Sequence, residues 1–234
     1  MRVGKIAWRL SWAALAAVVF VFALVQLWFF SQVMYWSRFE PGSTAFMERR
    51  LESLRAHDPH AVLHQEWLPY VRISAHLKRA VVAAEDAKFL DHEGFDWLAI
   101  QKALEKNVQQ GKAVAGASTI SQQLAKNLFL SGERSLLRKG EEALITWMLE
   151  AVMSKRRILE LYLNYAEWGE GVFGAESAAR YHFGIGAAAL NPEEAAWLAA
   201  ILPSPRRYKR GEITPYSAQR AAAIASHMDK AQIP

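Results

Sequence analysis

The sequence predicts a mainly α-helical domain that follows a single N-terminal membrane-spanning helix. The first charge-free run is long enough to cross a bilayer. The remainder has apolar residues at helical spacing, with no alternating run typical of a half-buried strand and no Asn-Gly hairpin turn. No repeat at a period of about 20–50 residues indicates a solenoid. These features divide the chain into a cytoplasmic N-terminus with its anchor, residues 1–37, and a globular domain, residues 38–234.

Composition excludes some classes of protein. The 234-residue chain has no cysteine, so it forms neither disulfides nor thiolate metal sites. Its net charge of +5 owes three charges to Arg2, Lys5 and Arg9, which precede the first acid. From Arg38 onward, 25 Lys and Arg oppose 23 Asp and Glu. A balance so near neutral argues against general nucleic-acid binding.

The predicted anchor is the uncharged segment 10–37, which is almost wholly apolar from residue 10 to 30. A helix of about 20 apolar residues spans a bilayer core. Because the basic residues precede the span, the positive-inside rule places the N-terminus in the cytoplasm and the domain on the opposite, external side of the membrane. The alternatives are a cleaved signal peptide and a buried core helix. The bulky end at 27–30 lacks a small-residue cleavage site, and the charge-free run is too long for most core helices. Aromatic residues typical of a membrane interface flank the span: Trp8, Trp12, Trp28, Tyr35 and Trp36.

Eight helices are predicted after the anchor. Ser74 and Ser118 are good N-caps for two of these helices. Ser131-Gly132 ends the helix that Ser118 begins. The small and polar residues 111–117 predict a mobile loop. The helix over 134–153 is apolar on every side after Ala143, which predicts a fully buried second half. Residues 38–70 are mixed and broken by prolines. The predicted ranges are 74–89, 95–110, 118–130, 134–153, 155–165, 171–183, 192–202 and 215–229.

Glu85 is the first candidate for acid–base chemistry. On a helix it would share a row with Val82 and Phe89, and apolar neighbours favour a carboxylate that accepts protons near neutral pH. The alternative is an exposed Glu85 paired with Lys88.

His92 lies between two acidic residues, but consecutive side chains diverge, so a structural or hydrogen-bonding histidine fits better than a metal ligand.

Glu142 is the second carboxylate candidate. It lies four residues after Arg138, and an exposed pair of this kind contributes little. However, it shares a row with Ile145 and Leu149, where the helix becomes buried, which is unusual for a solvated pair.

A polar surface lies between the two candidate acids. A helix N-terminus with hydroxyls, amides and a lysine within three turns favours anion binding. The combination indicates acid–base chemistry beside a phosphate. The residues concerned are Ser118, Thr119, Gln122, Gln123, Lys126 and Asn127.

Five motifs follow one another along the sequence. The first three consist of Glu85, Asp86, Phe89, His92 and Gly94; of Gly116, Ser118–Ile120, Gln122, Gln123, Lys126 and Asn127; and of Arg138, Lys139 and Glu142. The fourth consists of Lys155, 158–160, Tyr162–Asn164 and Gly169, and the looser fifth of Gly174, Ala178, Ala179 and 181–183. In this order the motifs resemble those of glycosyltransferase family 51, specifically its monofunctional biosynthetic peptidoglycan transglycosylases. Ala117 and His182 depart from the family pattern, at positions where glycine and an aromatic residue are common.

The resemblance implies a lysozyme-like helical glycosyltransferase domain with a smaller membrane-facing lobe. It implies that lipid II is polymerised into β-1,4-linked glycan strands, with inversion at the anomeric carbon and release of undecaprenyl diphosphate. The donor is the lipid-linked growing strand, and lipid II is the acceptor. Together with the anchor, the resemblance implies an enzyme of the cytoplasmic (inner) membrane whose domain lies on the periplasmic or external side.

The resemblance also assigns roles to residues. Glu85 is the general base, and Glu142 is a second catalytic residue that orients cations or a bound metal. A divalent cation, magnesium or manganese, is possible at the pyrophosphate, although the sequence requires no cofactor and identifies no metal ligand. The implied partners are the membrane, lipid II, the growing strand and possible cell-wall synthesis complexes, without nucleic acid. The implied substrate-binding residues are Asp86, Phe89, His92, Ser118, Thr119, Gln122, Gln123, Lys126, Asn127, Arg138, Lys139, Tyr162 and Asn164.

Two further features refine the prediction. No serine is followed three residues later by lysine, so the nucleophile motif of a transpeptidase is absent and no cross-linking activity is expected. The basic cluster of Arg206, Arg207, Lys209 and Arg210 is either a solvated surface or a contact with anionic headgroups or pyrophosphate.

Two other functions compete with this one. A cell-wall hydrolase or lytic enzyme also uses a carboxylate in a helical lobe, but it has no need of cations and a polar surface for a pyrophosphate. A non-catalytic scaffold would tolerate loss of Glu85 and Glu142, and the intact motifs argue against it.

Overall fold

The computed structural model describes residues 2–112, 116–130 and 135–234, with side chains from Trp8 onward. The described residues form two compact units, one up to Glu40 and one from Pro41 to Pro234. The mainly helical fold class is confirmed. The predicted helix end at Ser131-Gly132 and part of the predicted loop at 111–117 lie outside the described residues.

The first unit contains helix α1, Arg2–Trp36. Its segment Trp8–Trp36 is long and apolar enough, by length and composition, to cross a membrane. Most side chains in this segment are exposed, unlike those of a core helix.

The second unit is built mainly from helices of nine to seventeen residues. Short 3₁₀ turns lie at Tyr70–Arg72, Ala187–Ala189, Pro205–Arg207 and Met228–Lys230. The helices and strands are α2 Ala45–Arg55, β1 His64–Gln65, α3 Ala75–Glu85, α4 Trp97–Gln109, α5 Ile120–Phe129, α6 Leu136–Val152, α7 Lys155–Tyr165, β2 Glu167–Gly169, β3 Val172–Phe173, α8 Ala175–Phe183, α9 Pro192–Ile201 and α10 Pro215–Ala225.

Two elements were not predicted from the sequence. Helix α2 lies within the segment expected to be mixed, and the side chain of Thr44 caps it by accepting from the Met47 amide. A three-stranded sheet has the order β1-β3-β2, in which β1 is parallel and β2 antiparallel to β3. Its strands have only two or three residues, too few to show an alternating pattern. The predicted helix over 171–183 therefore begins only at Ala175, after β3.

Helix α3 is capped by Ser74 as predicted, but it ends at Glu85 instead of residue 89. Asp86 leaves the helical conformation with φ −162° and ψ 72°. Its carboxylate accepts hydrogen bonds from the Ile120 amide and from His92, which hold the following chain against α5. The predicted helical row of Glu85 with Phe89 is therefore wrong.

Helix α5 is capped by Thr119, not by Ser118. The Thr119 hydroxyl accepts from the Gln122 amide, while the Gln122 side chain accepts from the Thr119 amide, which satisfies two helix-terminal donors at once. The Thr119 hydroxyl also donates to the Gly94 carbonyl at 2.7 Å. Gly94 has φ +89°, and a Cβ there would lie 2.8 Å from the Thr146 side chain, so glycine allows this loop to lie against α6.

The core surrounds α7, which is buried from Leu161 through its last turn. Helices α5, α6 and α7 pack together, α2 packs on α5, and α3 packs on α9. The second half of α6 is not fully buried as predicted, because Leu144 and Trp147 are 41% and 65% exposed on its outer face. An all-apolar helix face indicates a core only where other elements cover it.

Candidate active site

Two adjoining cavities lie among α2, the end of α3, α5, α6, α7 and the segment after α9. The smaller cavity has a volume of about 450 Å³ and the larger one about 710 Å³. Phe46, Gln123, Lys126 and Pro203 line both cavities, so the two cavities adjoin and together make up one cleft.

Glu85 lies in the smaller cavity as the last residue of α3. Its side chain is only 11% exposed, and the Gln123 amide donates to its Oε2 at 2.8 Å. Burial raises the pKa of Glu85, whereas the Gln123 hydrogen bond and the charges of Arg220 and Lys126 act in the opposite direction. The alternative of an exposed Glu85 paired with Lys88 is wrong, because the carboxylate turns inward.

Tyr162 fixes the orientation of the amide that contacts Glu85. Its hydroxyl donates to Gln123 Oε1 at 3.0 Å, so the amide nitrogen of Gln123 must face the carboxylate. Tyr162 is buried, and its pKa is raised well above 10 by burial and then by the nearby Glu85 charge. It therefore remains a hydrogen-bond donor throughout the physiological range.

Glu142 holds two cations on α6. Arg138 Nη1 donates to its Oε2 at 2.8 Å, and the Lys139 ammonium pairs with Oε1. Glu142 is buried, and all three side chains line the smaller cavity. The side chain therefore orients Arg138 and Lys139, which is part of its predicted role.

Lys126 faces both cavities from α5. Burial lowers the pKa of Lys126, and the charge of Glu142 partly offsets that effect. To the residues that the structure describes, its ammonium makes no hydrogen bond and no ion pair within 4 Å. Two buried donors, Arg138 Nε and Arg220 Nε, are likewise without a partner among those residues. A half-buried lysine without a partner in the described parts of the chain, beside two such arginine donors, is suited to an anionic ligand.

Most of the predicted site residues converge on this cleft. Asn127 and Tyr162 line the larger cavity with Gln123 and Lys126. The smaller cavity is lined by Glu85, Ser118, Gln122, Gln123, Lys126, Arg138, Lys139 and Glu142.

Five predicted substrate-binding residues do not line the cleft: Asp86, Phe89, His92, Thr119 and Asn164. Asp86 accepts from His92 at 2.9 Å, which confirms the hydrogen-bonding interpretation of that histidine. Phe89 is buried beneath the Lys155 ammonium, and the Asn164 amide bonds to both backbone groups of Leu68. Asp86 also accepts from the Ile120 amide of α5, and Asn164 ties α7 to the segment before α3. Substrate contact by these five residues stays a prediction.

Arg220 was missed by the sequence analysis. It extends from α10 so that its guanidinium lies 3.8 Å from Glu85 Oε1. No local pattern could have identified it, because α10 lies far along the chain and meets α3 only in the folded domain. Phe46 and Arg50 on the unpredicted helix α2 were missed for the same reason.

The described residues contain no group of three His, Asp or Glu side chains arranged to hold a metal ion. Both oxygens of Glu142 already accept from cations. A divalent cation between Glu142 and a pyrophosphate therefore stays a prediction, in which the phosphate oxygens would have to supply most of the ligands.

Fold and cleft together define a helical enzyme with a buried carboxylate beside several cations. The profile of the Transglycosylase family matches residues 52–229, which is most of the chain. The chain belongs to this family.

Similar proteins cover nearly the whole chain. It is 56% identical to the biosynthetic peptidoglycan transglycosylase of Aromatoleum aromaticum over 230 residues, 98% of this chain and 100% of that protein. It is 57% identical to the protein of the same name from Nitrosospira multiformis over 93% of this chain and 94% of that protein. A third, from an Azoarcus species, is 54% identical over 98% of this chain and 99% of that protein.

Proposed function

We propose that this peptidoglycan glycosyltransferase polymerises lipid II into β-1,4-linked glycan strands, with Glu85 as the general base. The observation that carries this proposal is the buried Glu85 carboxylate in the same cavity as Lys126, Arg138 and Lys139. A carboxylate accepts a proton from the attacking hydroxyl, and the cations stabilise a departing diphosphate.

The reaction has one chemical step. The acceptor 4-hydroxyl oxygen attacks the donor anomeric carbon from the face opposite the diphosphate. The new C–O bond forms as the old C–O bond to phosphate breaks, so the configuration inverts without a covalent intermediate. Glu85 receives the hydroxyl proton, and undecaprenyl diphosphate leaves with the bonding electron pair. Lys126, Arg138 and Lys139 face the negative charge that develops on it.

The substrate that the enzyme uses distinguishes this function from that of the rival hydrolase. Incubation with purified lipid II should give a polymer that a muramidase degrades. Isolated sacculi should remain intact. Release of fragments from sacculi, without polymer from lipid II, would favour the hydrolase.

Removal of the Arg220 charge should change the pH dependence of polymerisation. A base works in its ionised form, so activity is lost as the pH falls through the pKa of Glu85. The Arg220 charge lowers the pKa of Glu85. In Arg220→Gln the acid limb of kcat/KM should therefore move to higher pH.

Arg210→Gln is the matched control, because Arg210 is exposed and lies outside both cavities. The pH profile of this control should match that of the wild type. An unchanged acid limb in Arg220→Gln would contradict a role for Arg220 in setting the ionisation of Glu85.

Topology is the second part of the proposal. Helix α1 would anchor the enzyme with its N-terminus in the cytoplasm and the catalytic unit on the periplasmic or external side. A reporter fused after Pro234 should be active if it functions only outside the cytoplasm. Activity of a reporter that functions only in the cytoplasm would contradict this orientation.

Exposed apolar side chains on α4 and α6 support contact between the catalytic unit and the membrane. Trp97, Leu104 and Val108 lie on one face of α4 and are exposed, as are Leu136 and Trp147 on α6. Large exposed apolar residues of this kind favour lipid contact. We infer that α4 and the outer face of α6 form the smaller, membrane-facing lobe. Association with cell-wall synthesis complexes and the absence of cross-linking activity stay predictions.

A further inference from the structure

The larger cavity is lined by cations other than those assigned to the departing diphosphate. Its lining includes Arg49, Arg50, Lys126, Arg206 and Arg207, with Glu167 as the acidic residue of the lining. The predicted diphosphate cations, apart from Lys126, lie in the smaller cavity. The arginines of the larger cavity therefore need a different explanation.

One of these arginines has a structural role. Arg50 donates two hydrogen bonds to Glu167, at 2.7 and 3.0 Å, and both side chains are largely buried. Its guanidinium also lies 5.5 Å from the centre of the Phe46 ring. This bidentate pair ties α2 to β2, so the wall of the larger cavity is fixed before any ligand binds.

Arg206 and Arg207 are different. They lie on the 3₁₀ turn Pro205–Arg207, which Ser204 precedes, and their side chains are exposed. Neither side chain makes a hydrogen bond or ion pair with any residue in the described parts of the chain. Two arginines without a partner among the described residues thus line a cavity of about 710 Å³ that adjoins the site of Glu85.

The chemistry of the substrate limits what these arginines can meet. The amino sugars of a glycan strand are uncharged. Negative charge along the strand comes from the diphosphate at its lipid-linked end and from the carboxylates of the short peptides attached to its sugars. A guanidinium group binds either oxyanion with paired hydrogen bonds.

We propose that Arg206 and Arg207 bind the peptide carboxylates of the glycan strand, so that the larger cavity recognises a glycopeptide and not only its sugars. This proposal rests on the proposed function. It assigns the diphosphate to the cations around Glu85 and the peptide to the arginines farther along the cleft.

The test is kinetic and uses the full-length enzyme with detergent-dispersed substrate. Two substrates are compared, lipid II with free peptide carboxylates and the same lipid II with those carboxylates amidated. In Arg206→Gln/Arg207→Gln, KM for the anionic substrate should rise about 3- to 20-fold with little change in kcat, as expected for loss of two partly exposed ion pairs. KM for the amidated substrate should not change.

Lys209→Gln/Arg210→Gln is the matched control. It removes the same charge from the same segment, but neither side chain lines the larger cavity. Its kinetics should equal those of the wild type on both substrates.

Three outcomes would overturn the proposal. An equal rise of KM on both substrates would assign the arginines to a diphosphate. An effect that appears only with substrate in vesicles of anionic phospholipid would assign them to the membrane surface. No effect on either substrate would make them solvated charges.

A binding measurement separates this proposal from the function on which it rests. Short glycan strands without lipid or diphosphate are titrated against a Glu85→Gln enzyme, which does not need to turn over. Anionic strands should bind more tightly than amidated ones, and the difference should disappear with Arg206→Gln/Arg207→Gln. Absence of this difference would refute the peptide site, whereas a wild-type enzyme that fails to polymerise lipid II would refute the proposed function alone.

Discussion

Glu85→Gln should abolish polymerisation while the protein remains folded. Glutamine keeps the size of the side chain and its contact with Gln123, but it cannot take a proton from the acceptor hydroxyl. Loss of a general base typically lowers the rate by about 10²–10⁴-fold. The measurement is the initial rate of lipid II consumption by equal amounts of folded wild-type and variant enzyme.

Thermal unfolding supplies the control for this prediction. Burial raises the pKa of Glu85, so ionised Glu85 destabilises the folded state at a pH above its usual pKa. The neutral variant should therefore unfold at the same temperature as the wild type or a higher one. A rate within a few-fold of the wild type would refute the assignment of Glu85 as the base.

Lys126→Met should produce the second largest loss. We expect kcat and kcat/KM to fall together by about 10²–10³-fold, as for removal of a group that stabilises charge in the transition state. Methionine keeps much of the length and apolar contact of the side chain without its charge.

The stability of this variant distinguishes function from structure. The pKa of Lys126 is lowered chiefly by burial, which means that its charge opposes folding at neutral pH. Lys126→Met should therefore be at least as stable as the wild type, whereas a structural lysine would lose stability on replacement. Lys88→Met is a suitable control, since Lys88 is exposed and lies outside both cavities. Normal kinetics in Lys126→Met, or a large drop in its melting temperature, would contradict the role in diphosphate departure.

These two predictions share a physical basis. Both Glu85 and Lys126 are ionisable groups in surroundings that disfavour their charged forms. A protein retains such groups at a cost in stability, and enzyme sites are where this combination is concentrated. Binding of an anionic substrate beside Lys126 would offset the cost for the lysine.

Local patterns predicted those features of the fold that depend on few neighbours. Ser74 was recognised as the cap of α3, and the bounds of α7 were predicted as the structure has them, because capping and helical periodicity are local. The same reasoning failed for Phe89. The helix before it ends because Asp86 bonds to Ile120 and His92, and the first of these partners lies on a distant segment.

The sequence predicted only part of the site, because motifs are also local patterns. The motif residues Glu85, Gln123, Lys126 and Glu142 converge as expected on one cleft. Arg220 and α2 reach that cleft only through tertiary packing, and no spacing in the sequence links them to Glu85. Conversely, Thr119 and Asn164 look like ligands in a motif, but in the folded domain their polar groups bond to the backbone.

Product analysis with purified lipid II tests the central claim most directly. Wild-type enzyme should release one undecaprenyl diphosphate for each new glycosidic bond, and every new bond should have the β configuration and be cut by a muramidase. Glu85→Gln enzyme, shown to be folded by its melting temperature, should give neither product. Polymer formed by Glu85→Gln at the wild-type rate, or new linkages that retain the α configuration of the donor, would contradict inversion by Glu85-assisted attack.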